Sequence, residues 1–445
     1  MDVKKKLWVV VCLTLWCATA SSRSQDVPEL VKHQMPELIS AYKELHENPE
    51  LSHFEVKTSA WLAGQLRSAG YTVTENVGRY NDGSQAYGVV GVMKNGKGKT
   101  LLLRTDMDAL PVIEKTDLPY ASKVRTKNAA GQEVGVMHAC GHDVHLTTMV
   151  GVARVMAVEK TKWHGTLILI GQPSEELAEG AQAMLLDDLY QRFGRPDVAL
   201  ALHDNASLAA GMVGITSGPA MASSTTVFVT MRGVGGHGAM PASTKDPVVM
   251  AAEFVTAVQT IVSRQTLPTH PAVVTVGTIH GGTQSNIIPD EVKMGLSVRA
   301  LDETTRKNVL EDIQRTADGV ALIAGVPAER KPQVEVAHFT SPIYNDPMLT
   351  ARVRHVLTDA LGADNVLDLE PVMVSEDFGL FGLPDHAIPT VLFWLGAVDP
   401  VKVAASVTSG VPLPSLHSSM FAPLPELTLS TGVTAMSDAA LDLLK

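Results

Sequence analysis

Residues 166–176 read Thr-Leu-Ile-Leu-Ile-Gly-Gln-Pro-Ser-Glu-Glu. An unbroken apolar run of this length, cut off by Gly and Pro, reads as a strand buried on both faces, the mark of a parallel sheet covered by helices. Its end is a pair of adjacent acids. Two further runs behave alike: residues 100–103 lead into Arg104-Thr105-Asp106-Met107-Asp108, and residues 198–202 into His203-Asp204. Residues 87–93 and 390–395 read as additional strands of the same parallel sheet. Helical spacing occupies residues 26–80, with Leu38, Tyr42, Leu45, Trp61, Leu62 and Leu66, and residues 146–158, with Met149, Val152, Ala153 and Met156 on one face. The class is α/β. In open sheets of this class ligands lie beyond the carboxyl ends of the strands, so the polar clusters are expected to meet in space.

Between about residues 214 and 337 the pattern changes from continuous runs to alternation. Val227, Val229 and Met231 alternate with Phe228 and Thr230, and Val292, Met294, Leu296 and Val298 with Lys293, Gly295, Ser297 and Arg299. With helical segments at 247–263 and 303–323, this reads as an inserted α+β domain of the ferredoxin-like kind, one face of its antiparallel sheet covered by two helices. The chain of 445 residues exceeds the ~250–300 residues at which one core stops growing. The expected division is a catalytic domain in two parts, 21–213 and 338–445, around the insert 214–337.

With 45% hydrophobic and 19% charged residues, the composition is that of a folding chain. The net charge of −11, without a run of Lys or Arg outside the extreme N-terminus, argues against nucleic acid as a partner. At that N-terminus Lys4-Lys5-Lys6, the apolar residues 7–17 and Ala18-Thr19-Ala20 have the three parts of a secretory signal peptide over residues 1–20. The apolar stretch falls short of the ~20 residues a spanning helix needs, so no membrane anchor is expected after cleavage. Export to a bacterial periplasm or the exterior is the expectation, and the acceptor Asn205-Ala206-Ser207 beside His203 favours a bacterial compartment, since a glycan there would crowd the site. Cys12 and Cys17 would leave with the signal. Cys140 then remains alone, and no internal disulfide can form.

Cys140 stands in His138-Ala139-Cys140-Gly141-His142-Asp143-Val144-His145. Thiolate and imidazole are strong ligands for zinc and similar ions, and Gly141 lets the backbone turn so that both can face one point. Adjacent carboxylates at Glu175-Glu176 repel each other when buried unless a cation offsets the cost. A division of labour follows: one glutamate binds metal, and the other takes a proton from an activated water.

These residues resemble the M20 metallopeptidase-like amidohydrolases, in the branch that holds hippurate hydrolases and the plant auxin–amino acid conjugate hydrolases. The resemblance runs from about His46 to Phe421. It is carried by His46-Glu47-Asn48-Pro49-Glu50-Leu51, Arg104-Thr105-Asp106-Met107-Asp108-Ala109-Leu110-Pro111, His138-Ala139-Cys140-Gly141-His142-Asp143 and Gln172-Pro173-Ser174-Glu175-Glu176. Gly235-Gly236-His237-Gly238-Ala239, Asn286-Ile287-Ile288-Pro289, Ser375-Glu376-Asp377-Phe378 and Leu416-His417-Ser418 complete it. The resemblance implies that Cys140, His142, Glu176, His203 and His417 hold two divalent ions, zinc or manganese and, as a third choice, cobalt. It implies Glu175 as general base and proton donor, His237 as oxyanion stabiliser, and Asn286 and Arg299 as substrate clamps. It also implies that the insert is a lid and the surface of a homodimer, across which His237 often acts.

Departures from the family pattern are Asp204 after His203, Leu177-Ala178-Glu179 in place of glycines, Ala242-Ser243, and Ser418-Ser419 after His417. They are expected on pocket walls, where they bear on substrate choice, with Asp204 partnering the ligand before it. The expected substrate is a small molecule, an N-acyl amino acid. The alternatives are a metallo-carboxypeptidase or dipeptidase by the same chemistry, and an exported binding protein without turnover.

Overall fold

A computed structural model describes residues 26–128 and 130–445; the segment expected to be a signal peptide, with Cys12 and Cys17, lies outside the described residues. The larger sheet has eight strands in the order Thr72–Arg79, Gln85–Asn95, Gly165–Gln172, Thr100–Asp106, Val198–Ala209, Thr390–Val398, Val213–Ile215, Val366–Asp368. Its centre is parallel: Thr100–Asp106 lies between Gly165–Gln172 and Val198–Ala209, and Thr390–Val398 follows in the same direction. The apolar runs are continuous because both faces are covered. Leu101 and Leu103 join the cluster formed with helices Val27–Glu47, His142–Val158 and Pro425–Leu443, while Leu102 points to the opposite cluster with Met184, Phe378 and Phe381. Period two on two dry faces leaves no polar position within the runs at 101–103 and 167–170.

Three expectations are corrected here. Residues 87–93 lie in Gln85–Asn95, which runs antiparallel to Gly165–Gln172; a doubly buried strand carries the same apolar run in either direction. The helical reading of residues 26–80 holds for Val27–Glu47 and Val56–Ser68 but ends before Thr72–Arg79, an antiparallel edge strand interrupted by irregular register. The third helix starts at His142, four residues ahead of Leu146, because Gly141 at φ +79° turns the chain into it. A Cβ at Gly141 would overlap the Asp204 carboxylate.

The smaller sheet is antiparallel, in the order Ala272–Gly281, Glu291–Ala300, Ser223–Arg232, Gln333–Thr340. Val227, Val229, Met231, Val292, Met294, Leu296 and Val298 pack under helices Pro247–Thr260 and Glu303–Ile323. Asp302 caps the second helix by accepting from the Thr305 backbone N–H at 2.8 Å. The opposite face, with Ser224, Thr226 and Arg299, looks into the main cavity. The sheet begins at Ser223 and ends at Thr340. Val213–Ile215 belongs to the larger sheet, and Gly218–Met221 pairs with Ile343–Asn345 as a ribbon where the two layers join.

Candidate metal centre and active site

The expected convergence occurs at the carboxyl end of the parallel strands, in a cavity of about 890 Å³. Cys140, Glu175, Glu176, His203, Arg299 and His417 line it, and His142 lies beneath, fully buried. The Cys140 Sγ is 3.5 Å from His203 Nε2. Glu176 reaches both ways, Oε1 3.9 Å from His142 Nε2 and Oε2 3.4 Å from His417 Nε2. Two triads of ligand atoms, Cys140–His142–His203 and Cys140–Glu176–His417, each lie within 4.8 Å of one another and meet at the thiol. Sulfur, imidazole and carboxylate in that proportion suit zinc and its neighbours in the first transition row.

Hydrogen bonding fits these residues to cations. His142 Nδ1 donates to the Asp108 carbonyl at 2.7 Å and His203 Nδ1 to the Asp204 carbonyl at 2.8 Å. A carbonyl only accepts, so each Nδ1 carries a proton and each Nε2 is the atom that would offer its lone pair to a bound cation. His142 Nε2 and Glu176 Oε1 are buried without a hydrogen-bond partner. Such orphans are costly in a folded chain unless a ligand meets them.

Electrostatics points the same way. Burial, and then the charges of Glu176, Glu175, Asp204 and Asp106, push the Cys140 thiol well above its usual value. Burial, with Glu376, Glu176 and Asp377, outweighs Arg104 and lifts Glu175 well above the carboxylate range. Burial brings Glu176 to about 7 against the pull of His142. His142 is driven up because Asp106, Asp108 and Glu176 overcome the burial that would lower it. The metal-free site therefore holds protons where a cation would displace them.

Glu175 sits with Oε2 3.8 Å from His142 Nε2. Its position is fixed from behind by Asp108, whose Oδ1 accepts from the Glu175 N–H at 3.1 Å and whose Oδ2 accepts from the Glu176 N–H at 3.0 Å and from Ser52 Oγ at 2.6 Å. One aspartate thus ties the two-glutamate turn to the ligand His142. Asp106 receives His145 Nδ1 at 2.6 Å and Arg104 Nη1 at 2.6 Å. Arg104, wholly buried, also binds Gln172 Oε1 at 2.9 Å and Glu376 Oε1 at 2.7 Å, and lies 3.2 Å from Asp377 Oδ1. Asp204 Oδ1 lies 3.1 Å from His145 Nε2 and 3.5 Å from His203 Nδ1, and the Asp204 carbonyl takes the His203 hydrogen bond, so Asp204 partners the ligand before it chiefly through its backbone. Sequence reasoning assigned no role to Arg104, Asp106, Asp108 or His145; the acids beyond residues 100–103 were the available signal, and their partners come from other strands.

Arg299 is half-buried on the open face of the smaller sheet and donates from Nη1 to Ser375 Oγ at 2.7 Å. Burial lowers its pKa, but guanidinium keeps its charge. His237 and Asn286 lie elsewhere. The pair Gly236–His237 and Ile287–Ile288 forms a short ribbon, and Gly238 N–H donates to the Asn286 carbonyl at 2.8 Å. Both residues are exposed, and neither lines the cavity of its own chain. One chain therefore gathers all five expected ligands, Glu175 and Arg299, and leaves His237 and Asn286 together but apart from them.

Residues 102–419 match the sequence model described as Peptidase family M20/M25/M40. The chain is 37% identical to the hippurate hydrolase of Campylobacter jejuni over 357 residues, 80% of this chain and 87% of that one. It is 35% identical to thermostable carboxypeptidase 2 of Saccharolobus solfataricus over 378 residues, 83% and 89% of the two chains. The crystal structure of Bacillus subtilis YxeP protein, described as a dinuclear metal binding peptidase from the M20 family, superposes with a TM-score of 0.72 at 25% identity, covering 93% of this chain and 99% of that one.

Proposed function

The chain belongs to peptidase family M20/M25/M40 and is a metal-dependent amidohydrolase of the hippurate hydrolase and deacetylase type, and from that premise we propose that it hydrolyses N-acyl amino acids with Glu175 as general base. The observation that carries this reading is the Glu175 carboxylate, held by Asp108 through its backbone at the edge of five convergent ligand side chains and left otherwise free to exchange a proton. Two divalent ions held by Cys140, His142, Glu176, His203 and His417 would supply Lewis acidity and lower the pKa of a water from 15.7 toward about 7.

Glu175 accepts the proton of the attacking water and returns it to the amide nitrogen as the C–N bond breaks. Burial first, and then the acids around it, keep the basicity of Glu175 high, which suits a group that must take a proton and later give it up. Arg299 orients the substrate by pairing its guanidinium with the free carboxylate of the amino acid half. Met221, Val372, Trp394 and Leu416 offer an apolar wall to the acyl half.

His237 and Asn286 complete the site from a second copy of the chain. Their ribbon is exposed, and the neighbouring strand Ala272–Gly281 is a sheet edge with Val273 and Ile279 open to solvent. A homodimer through the insert would bury that edge and bring His237 to the oxyanion. The basic and apolar residues of the N-terminus support export of the enzyme. Similarity to a carboxypeptidase keeps peptide bonds as the second reading.

The test is amino acid release by the purified chain from a panel of N-acyl amino acids and dipeptides, before and after chelation and with zinc, manganese or cobalt restored. The expected result is chelator-sensitive release from N-acyl amino acids, regained on adding metal. Faster release from dipeptides would favour the peptidase, and no release with any metal would overturn both.

A further inference from the structure

Among the charged groups that line the cavity, Glu179 has no part in the chemistry above. Glu175 and Glu176 are committed to proton transfer and metal, and both oxygens of Glu376 are taken by Arg104. The Glu179 carboxylate is partly exposed to the cavity and is held by a rigid scaffold. Its Oε2 lies 2.9 Å from His53 Nε2. The His53 ring is stacked on Tyr80 with centroids 4.0 Å apart, and the His53 N–H donates to Ser174 Oγ at 3.0 Å. Tyr80 Oη meets the same Ser174 Oγ at 2.6 Å, and the Ser174 N–H donates to buried Glu55 at 2.8 Å. His53 adopts φ +69° to reach this place, a conformation that a non-glycine residue takes only when its surroundings fix it. The other oxygen, Oε1, faces His338 Nε2 at 3.8 Å, beyond hydrogen-bond reach. An oriented carboxylate thus presents an open acceptor to the cavity.

Glu179 and Arg299 line the same cavity, with His338 of the smaller sheet beside Glu179. Arg299 pairs with Ser224, and His338, beside Glu179, pairs with Thr226 on the other side of the same strand. Two strand spacings and one two-residue step put the backbones of Arg299 and His338 roughly 12 Å apart. An amino acid whose carboxylate pairs with Arg299 and whose side chain ends in an ammonium has groups of the right charge for both ends of that cavity.

We infer that Glu179 is a specificity residue that receives a side-chain ammonium, so that the favoured substrates are N-acyl derivatives of lysine-like amino acids whose carboxylate meets Arg299. The inference rests on the N-acyl amino acid hydrolysis proposed above. Charge-assisted contact through one carboxylate oxygen is worth about tenfold in kcat/KM.

The experiment compares Nα-benzoyl-lysine with Nα-benzoyl-norleucine, which has the same chain length and no charge, and with Nα-benzoyl-glycine, using the metal-loaded full chain at low salt. The expected kcat/KM ratio of lysine to norleucine derivative is about ten, falling to near one in Glu179→Gln and below one in Glu179→Lys. Nε-acetylation of the lysine substrate should bring it to the norleucine value. A ratio near one in the wild-type chain, or a ratio unchanged in Glu179→Gln, overturns the inference while leaving the hydrolytic reading in place. Failure to hydrolyse all three, glycine derivative included, would remove the reading and the inference together.

Discussion

Glu175→Gln is expected to leave the chain folded and able to take up metal while lowering kcat by about 10²–10⁴, the usual contribution of a positioned general base. Gln keeps the size of the side chain and the backbone N–H that Asp108 holds, so the ligand Glu176 stays in register. What it loses is the ability to accept a proton. KM should change much less than kcat, because Arg299 and the apolar wall bind the substrate away from the reacting atoms. Steady-state kinetics with metal content measured on the same sample checks this. A variant that retained most of its kcat would remove Glu175 from the role of base, whatever its metal content.

Arg104→Met should be the most damaging change outside the ligands. Arg104 is the one cation shared by Asp106, Glu376 and Asp377, all buried. Burial alone would lower its pKa, and the three carboxylates hold the guanidinium charged. Removing it takes the cation from Glu376 and Asp377 and leaves Asp106 only its histidine partners in a dry interior, a loss of about 3–5 kcal/mol by the behaviour of broken buried ion pairs. Arg104→Lys keeps the charge but cannot span Gln172, Asp106 and Glu376 at once, so an intermediate loss is expected. Denaturant unfolding of the metal-free chains measures both. Equal stability of the Met variant and the wild type would mean that the acids take up protons at little cost.

Much of the architecture could be read from residues alone because the strands and their polar ends sit side by side in sequence. The run at residues 100–103 followed by Asp106 and Asp108 marks a strand that delivers acids to the sheet's carboxyl end, and the structure places them there. Strand direction was not legible at residues 87–93, since burial on both faces erases the alternation that would distinguish an outer strand. Thr72–Arg79 was missed for the opposite reason: its burial is irregular, and its register shifts twice against its neighbour.

The site divides similarly. Cys140 and His142 announce themselves by spacing around Gly141, whereas His203 and His417 are single histidines that gain meaning only from their distances to Cys140 and Glu176. Asp108 carries no local signal of its work, because its partners are backbone N–H groups of residues 175 and 176 and a ring nitrogen donating to its carbonyl. His237 and Asn286 were expected from the resemblance in separate roles, and the structure brings them together at one ribbon away from the ligands of their own chain. Glu179 appeared only as a departure among glycines, and its hydrogen bond to His53 depends on residues far apart in the chain.

The proposed chemistry requires that Cys140, His142, Glu176, His203 and His417 hold two divalent cations. The most direct measurement is to load the purified, metal-stripped chain with cobalt, count the ions retained, and record the near-ultraviolet thiolate-to-metal absorption beside that of Cys140→Ser. Two cobalt ions per chain, with an absorption band that vanishes in Cys140→Ser, is the predicted result; fewer than two ions in the wild-type chain, or a band unaffected by the substitution, would contradict it.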